Sequence, residues 1–213
     1  MKSDYSLYLV TDRMLMSTKT LGEAVEQAVI GGCTMVQLRE KEISSLDFYV
    51  LASEMKKITD RYGIPLIIND RIDIAMAVGA AGVHIGQKDI PADIARKLIS
   101  KDMLLGVSTA SVAEAVNAAK AGADYLGVGA MFSTGTKMDA SHVSMEKLGG
   151  IRRTVDIPIV VIGGISKENA MLFQPMGIDG LAVVSAVIAQ PDIRKSAADL
   201  KSLFLGKEDV NEL

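Results

Sequence analysis

The segment "PLIINDRIDIAMAVGAAGVHIG", residues 65–86, contains the pattern that predicts the fold. Its first apolar run ends at the polar pair Asn69 and Asp70, and a second run, "GVHIG", follows after a stretch long enough for a helix. Two short apolar runs separated by a helical stretch are typical of two parallel strands joined by a crossover helix. We therefore interpret this segment as one strand–helix–strand unit.

The same alternation extends along the whole chain of 213 residues. Apolar residues recur with helical spacing at 21–29, 48–55 and 112–119. Eight such units favour a single-domain (β/α)8 TIM barrel over a doubly wound sheet, and we place the barrel at residues 1–206 with a polar tail at 207–213. The eight apolar runs are "YSLYLVTD", "MVQLRE", "PLIIND", "GVHIG", "MLLGVS", "YLGVGA", "PIVVIGG" and "GLAVVSA".

Composition excludes several classes of protein. Lys and Arg number 23 against 26 Asp and Glu, a formal net charge of −3, so the basic footprint of a nucleic-acid-binding protein is missing. Cys33 is the only cysteine, which excludes an intrachain disulfide framework and agrees with a reducing compartment. The N-terminus lacks the pattern of a signal peptide, and no apolar run is long enough to span a membrane. We expect a cytoplasmic protein with small-molecule partners, and a homo-oligomer is compatible with this composition.

In a TIM barrel the active site forms at the C-terminal ends of the strands, so the polar residues that close each strand are the candidates. The period of two in strand two places Gln37, Arg39 and Lys41 on one side and Val36 and Leu38 on the other. The other candidates are Asn69, Asp70, Asp89, Ser108, Thr134, Thr136, Lys137, Gly163, Gly164, Val184 and Ser185.

Asp70 and Asp89 follow neighbouring strands and can reach one hard cation, because such strands lie about 4.8 Å apart. Mg²⁺ takes one or two carboxylates and completes its shell with water and phosphate oxygens. With Arg39, Lys41 and Lys137 the two carboxylates predict a diphosphate site. The alternative is that Asp70 and Asp89 are turn residues, with Asp70 capping a helix that starts at Arg71, and that the cations are solvated rim charges.

A second anion site is predicted after strands seven and eight, where Gly163, Gly164 and the "VVSA" turn precede a short helix. The long loop from Ala130 to Ser144 is a candidate lid over the diphosphate. His84 alternates with apolar residues, and we interpret it as a satisfied core or rim histidine and not as a catalytic base. Cys33 has no histidine near it in sequence and is not interpreted as a nucleophile.

Seven stretches in register, from "VQLREK" to "GLAVVSA", resemble the thiamine-phosphate synthase family. The stretches are "VQLREK", "IINDR", "GVHIGQKD", "GVS", "DYLGVGAMFSTGTK", "VVIGGI" and "GLAVVSA". The most specific parts of them are "QLREK", "GQKD" and "TGTK". The resemblance implies that 4-amino-5-hydroxymethyl-2-methylpyrimidine diphosphate is joined to 4-methyl-5-(2-hydroxyethyl)thiazole phosphate, with thiamine phosphate and diphosphate as products.

The resemblance also implies a role for each matching position. Asp70 and Asp89 would bind Mg²⁺. The pyrimidine diphosphate would be bound by Gln37, Leu38, Arg39, Glu40, Lys41, Asn69, Ser108 and Lys137, of which Arg39, Lys41, Ser108 and Lys137 would be catalytic. The thiazole phosphate would be bound by Thr134, Gly135, Thr136, Gly164, Val184 and Ser185.

The chain departs from the family pattern at two positions. Ala110 stands where relatives usually carry a histidine, and Ala130 stands where they usually carry a proline after Gly129. Two alternatives stay open: a thiazole tautomerase-type isomerase, which typically relies on a histidine near the end of strand five, and a barrel that binds thiamine precursors without turnover.

Overall fold

Eight parallel strands pair in chain order, and the eighth pairs with the first, which closes a barrel. The computed structural model describes residues 3–133 and 142–206. The predicted TIM barrel is confirmed, whereas the domain limits stay a prediction because the tail lies outside the described residues. The strands are β1 Leu7–Val10, β2 Met35–Leu38, β3 Leu66–Asn69, β4 Gly82–Ile85, β5 Leu104–Thr109, β6 Tyr125–Val128, β7 Ile159–Ile162 and β8 Gly180–Val183.

Helices connect consecutive strands, and most begin at a polar N-cap residue. Thr20 caps α1 in a capping box with Glu23, while Ser44, Ser111, Ser144 and Asp192 accept a backbone hydrogen bond at the start of α2, α5, α6 and α8. The helices are α1 Leu21–Ile30, α2 Ser45–Arg61, α3 Ile72–Val78, α4 Ala92–Leu98, α5 Val112–Lys120, α6 Met145–Arg152, α7 Ser185–Ile188 and α8 Ile193–Leu205.

The connection after β7 differs from the others. It is a 3₁₀ helix, Ala170–Met176, with Pro175 inside it. A proline has no backbone N–H to donate to a helical hydrogen bond, which explains why an α-helix does not form here. Within the described ranges, no helix is both long enough and apolar enough to cross a membrane.

Alternate residues of each strand face two different cores. Leu9, Val36, Ile68 and other outward residues pack against the helices in one large cluster. The inward residues fill the barrel interior: Tyr5, Tyr8, Val10, Met35, Ile67, Tyr125, Val160 and Ala182. The barrel interior is therefore a packed core, and in this fold ligands bind at the C-terminal rim of the barrel.

A repeated polar arrangement holds the opposite, N-terminal end of the barrel. The Asp124 carboxylate accepts hydrogen bonds from the Leu105 amide at 2.7 Å and from Arg96 at 3.0 Å. Two strands further along, Asp179 accepts from the Ile159 amide at 2.8 Å and from Arg152 at 3.2 Å. Each aspartate thus joins an amide at the start of one strand, that of its first or second residue, to the preceding helix.

We expect Asp124→Ala to lower the free energy of unfolding by about 1–3 kcal/mol, because a strand amide and a guanidinium lose their acceptor. Urea denaturation measures the change. Asp93→Ala is the control: Asp93 is exposed and pairs with Lys97 at 3.4 Å on one helix, so its loss should cost about 0.5 kcal/mol or less. Equal stabilities for the two variants would contradict the role of Asp124.

Candidate active site

A cavity opens at the C-terminal end of the barrel and brings together residues from all eight strands or the loops that follow them. Its volume of 160 Å³ far exceeds the roughly 10–15 Å³ that one water molecule needs. The predicted residues that line it are Gln37, Arg39, Asn69, Ser108, Gly163, Gly164, Val184 and Ser185. The strand-end argument therefore identified a set of residues that share one cavity.

Strand β2 divides its residues as the period of two predicts. Gln37 and Arg39 face the cavity, whereas Leu38 is fully buried among the residues that pack against the helices. The Arg39 backbone amide donates to Thr11 Oγ1 at 3.1 Å. Among the described residues, its guanidinium forms no ion pair, so a positive charge is available to an anion in the cavity.

Glu40 and Lys41 lie at the rim and pair with other residues. Arg13 donates two hydrogen bonds of 2.8 Å to the Glu40 carboxylate. The Lys41 ammonium pairs with the Asp70 carboxylate. Neither side chain lines the cavity, so any contact of Lys41 with a ligand requires the ammonium to share or leave Asp70.

Asp70 does not cap a helix, and that interpretation is wrong. Helix α3 begins at Ile72, with Arg71 at its N-cap and no side-chain cap hydrogen bond. Asp70 instead has φ +61°, a left-handed conformation that Asp and Asn tolerate better than most residues, and its amide donates to the His84 carbonyl at 2.8 Å. This backbone turn directs the end of β3 toward the loop after β4.

Asp89 lies in that loop and closes a turn, accepting a 2.7 Å hydrogen bond from the Gly86 amide. Burial raises the pKa of Asp89, and the neighbouring Asp70 carboxyl raises it further. The two carboxyls are thus close enough to interact directly. Among the described residues no group of three or more His, Cys, Asp or Glu side chains could hold a metal ion, so the pair stands alone.

The other side of the cavity is formed by the turns after β7 and β8. Gly163 and Gly164 have φ +97° and +64°, and a Cβ on either would lie within 2.7 Å of Ala130 or Phe132. The Met131 and Phe132 amides donate to the Ile162 and Gly163 carbonyls at 2.9 and 3.0 Å. The glycines therefore let the start of the candidate lid pack directly on the end of β7.

Four predicted residues, Thr134, Gly135, Thr136 and Lys137, lie outside the described residues, as does most of the candidate lid. Of the two departures from the family pattern, Ala130 lines the cavity and Ala110 does not. Ala130 follows Gly129 through a cis peptide bond. The Ala110 amide donates to Glu114 at 2.6 Å.

Sequence reasoning missed two tyrosines, Tyr8, which lines the cavity, and Tyr125, which lies behind it in the barrel interior. The Gln37 amide donates to Tyr8 Oη at 2.8 Å, Tyr8 Oη lies 2.8 Å from Tyr125 Oη, and Tyr125 Oη lies 3.1 Å from His84 Nδ1. His84 Nε2 is 2.9 Å from Ser108 Oγ. Both ring nitrogens of His84 are bonded, as expected for a satisfied histidine. One signal could have revealed the tyrosines: each carries a hydroxyl group at a strand position whose side chain faces the barrel interior.

Two glycines make room for this set. A Cβ on Gly106 would lie 2.2 Å from Tyr125 Cζ and 2.4 Å from His84 Nδ1, and one on Gly127 would lie 3.0 Å from His84 Cε1. Glycine weakens a strand interior and often marks a close approach. Here the close approach is that of the His84 and Tyr125 rings.

We expect Gly106→Ala to lower the free energy of unfolding by about 1–3 kcal/mol, because two rigid buried rings must move. Urea unfolding provides the measurement. Gly150→Ala is the control, since its nearest neighbour would be Val112 Cγ2 at 3.6 Å and alanine favours a helix over glycine by about 0.5–1 kcal/mol. A Gly106→Ala protein as stable as the parent would contradict the crowding.

Comparisons with known proteins agree with this geometry. The model of the family described as thiamine monophosphate synthase matches residues 7–187. The curated thiamine-phosphate synthase of Clostridium beijerinckii is 65% identical over 204 residues, which are 96% of this chain and 98% of that protein. That of Ruminiclostridium cellulolyticum is 62% identical over 206 residues, or 97% and 98% of the two chains.

Solved structures give the same relationship. The thiamine phosphate pyrophosphorylase from Pyrococcus furiosus superimposes with a TM-score of 0.89 at 37% identity, covering 96% of this chain and 97% of its own. A 3-hexulose-6-phosphate synthase reaches a TM-score of 0.70 at 17% identity, which shows the shared barrel alone. From the matches over nearly its full length, the chain belongs to the thiamine monophosphate synthase family.

Proposed function

We propose that this protein is a Mg²⁺-assisted thiamine-phosphate synthase, a transferase that joins the pyrimidine diphosphate to the thiazole phosphate. The observation that carries the proposal is the convergence of Gln37, Arg39, Asn69 and Ser108 on one cavity, in a chain 65% identical to a curated synthase. The substrates are small heterocycles with phosphate groups. The cavity supplies both an apolar floor for a ring and polar groups at its rim for phosphates.

The residues at the rim fit a divalent cation. The pKa of Asp89 is raised first by burial and further by the neighbouring Asp70 carboxyl, which disfavours the charge of Asp89. A cation between them would relieve that repulsion, and two carboxylates are a usual protein contribution to a Mg²⁺ site that also takes phosphate oxygens. When bound, Mg²⁺ would supply positive charge to the departing diphosphate.

The reaction needs one bond to break and one to form. The bond between the pyrimidine methylene carbon and the diphosphate oxygen breaks, and its electron pair leaves with the diphosphate. The electron-rich aminopyrimidine supports the resulting cationic methylene, and the thiazole nitrogen attacks it with its lone pair. No protein base is required for either step.

The protein's own part is then positioning and charge stabilisation. Arg39, Lys41, Lys137 and Ser108 would bind the diphosphate as its charge grows, and Leu38 and Glu40 would contribute through the backbone of the same strand end. Removal of one such group typically costs about 10²–10³ in rate. Gln37 and Asn69 would orient the pyrimidine, which supports the reaction by placing the methylene carbon near the incoming nitrogen.

The thiazole phosphate would occupy the opposite side of the cavity. Gly164, Val184 and Ser185 line it there, and α7 begins directly at Ser185. Loops after the seventh and eighth strands are the usual phosphate site of this fold. Thr134, Gly135 and Thr136 would complete the site from the segment outside the described residues.

The experiment that tests the function is a turnover assay with both substrates, with and without Mg²⁺, in which mass spectrometry detects thiamine phosphate and diphosphate. Both products are expected, and only when Mg²⁺ is present. Failure to form product, with thiazole phosphate still bound in a titration, would overturn the synthase and favour an isomerase or a binding protein.

We expect Asp70→Asn to lower Mg²⁺-dependent turnover by at least about 10²-fold while leaving thiazole phosphate affinity within about twofold. Asparagine is preferred to alanine because it tolerates the left-handed backbone at φ +61° and retains similar volume. Steady-state kinetics and calorimetric titration provide the two measurements.

Asp73→Asn is the matched control for this variant. Asp73 is exposed, three residues away, and pairs with Arg71 outside the cavity. Its loss should leave turnover unchanged. Equal turnover by Asp70→Asn and the parent protein would contradict the metal assignment without affecting the family.

A further inference from the structure

A continuous row of hydrogen bonds crosses the barrel interior from β2 to β5. It runs Gln37–Tyr8–Tyr125–His84–Ser108, with donor–acceptor distances of 2.8, 2.8, 3.1 and 2.9 Å. We call it the interior chain. Gln37, Tyr8, His84 and Ser108 line the cavity, and Tyr125 is the one member that does not. The three middle residues have no assigned role in the proposed function.

The middle of the interior chain is shielded from water. Tyr8 and Tyr125 are 1% and 0% exposed, and His84 is 8% exposed. Burial raises the pKa of both tyrosines above the ordinary range, so both remain neutral hydroxyls. A buried hydroxyl without a partner is costly, so each link must pair one donor with one acceptor.

With His84 as a neutral imidazole, two arrangements of the hydrogens let every buried hydroxyl both donate and accept. A hydroxyl donates one hydrogen bond, and a neutral imidazole donates from one nitrogen and accepts at the other. If the Gln37 amide nitrogen donates to Tyr8, then Tyr8 donates to Tyr125, Tyr125 to His84 Nδ1 and His84 Nε2 to Ser108. If the Gln37 amide is turned so that its oxygen accepts from Tyr8, every later bond reverses.

The two arrangements present different groups to the cavity at the far end. In the first, Ser108 accepts from His84, and its own hydrogen is available to an acceptor in the cavity. In the second, Ser108 donates to His84 and presents only lone pairs. What Gln37 meets in the cavity therefore sets what Ser108 offers there.

We propose that the interior chain selects a 4-aminopyrimidine over a 4-oxopyrimidine, with Tyr8, Tyr125 and His84 as positioning residues. This inference rests on the proposed function, in which Gln37 faces the pyrimidine and Ser108 the diphosphate. An amino group donates and the adjacent ring nitrogen accepts. A Gln37 amide that pairs with both keeps its second N–H for Tyr8, which is the first arrangement.

A 4-oxo analogue has the opposite pattern, with an accepting oxygen and a donating ring N–H. The Gln37 amide must turn to pair with it and then presents its oxygen to Tyr8. The second arrangement follows, in which the lone pairs of Ser108 meet the negatively charged diphosphate oxygens. The analogue is thus disfavoured at the diphosphate as well as at the ring.

The test compares kcat/KM for the aminopyrimidine diphosphate and its 4-oxo analogue in the parent protein and in Tyr125→Phe. Removal of the Tyr125 hydroxyl breaks the interior chain at its centre. We expect kcat/KM for the amino substrate to fall about tenfold. The ratio of kcat/KM for the amino substrate to that for the oxo analogue should also fall about tenfold, which corresponds to the loss of one net hydrogen bond. An unchanged preference would overturn the proposal.

Tyr5→Phe is the matched control. The Tyr5 ring lies 5.2 Å from that of Tyr125, centroid to centroid, but its hydroxyl is not a member of the interior chain. The ratio of kcat/KM for the two pyrimidines in Tyr5→Phe should equal that of the parent protein. An equal narrowing in Tyr5→Phe would show that packing of the aromatic cluster sets the preference and would overturn the proposal.

A double-mutant cycle separates coupling from general damage. Ser108→Ala removes the far end, so it should also narrow the preference, and Ser108→Ala with Tyr125→Phe should narrow it no further. Additive effects would contradict the coupling. If Tyr125→Phe does not fold, Tyr8→Phe breaks the interior chain one link earlier and provides the same comparison.

The outcomes also distinguish this inference from the proposed function. Absence of product from the parent protein with the amino substrate would defeat the proposed function itself. Normal turnover of the amino substrate by the parent, with the same preference in every variant, would defeat only the role of the interior chain.

Discussion

The structure depends on one constraint: a closed barrel of eight short strands must bury two tyrosine hydroxyls in its interior. Tyr8 and Tyr125 supply much of the inward volume, yet each brings a polar atom to a place without water. Those atoms are satisfied by each other, by Gln37 and by His84. The requirement to pair buried hydroxyls thus fixes the inner side chains on four strands and extends the polar network to the cavity rim.

The fold and the residues at the cavity rim could be predicted because both depend only on the spacing of apolar residues and on the order in which the strands are connected. Buried strands alternating with amphipathic helices require a parallel sheet, and closure brings all C-terminal strand ends to one edge. Gln37, Arg39, Asn69 and Ser108 therefore share a cavity that strand-end reasoning could locate. The 3₁₀ helix after β7 was not predicted, although Pro175 in that segment carries the signal.

Other features depend on three-dimensional pairing that a linear pattern does not contain. Tyr8 and Tyr125 lie in apolar runs, where a tyrosine cannot be distinguished from ordinary core. Asp70 was compatible with a helix cap because its neighbours resemble a turn, but its backbone is left-handed and its amide donates a hydrogen bond to the His84 carbonyl. The pairing of Lys41 with Asp70 joins residues from two different strand ends. The sequence predicted Lys41 only as a ligand of the diphosphate and Asp70 only as a ligand of Mg²⁺.

That last pairing explains how the rim tolerates its charges without a ligand. Lys41 neutralises Asp70, while Asp89 accepts a hydrogen bond from the Gly86 amide. A cation held by the two carboxylates, as proposed above, would replace Lys41 as the partner of Asp70 and release a positive side chain at the rim. The metal and the diphosphate would then favour each other's binding, because the cation both contacts phosphate oxygens and frees a lysine to do so.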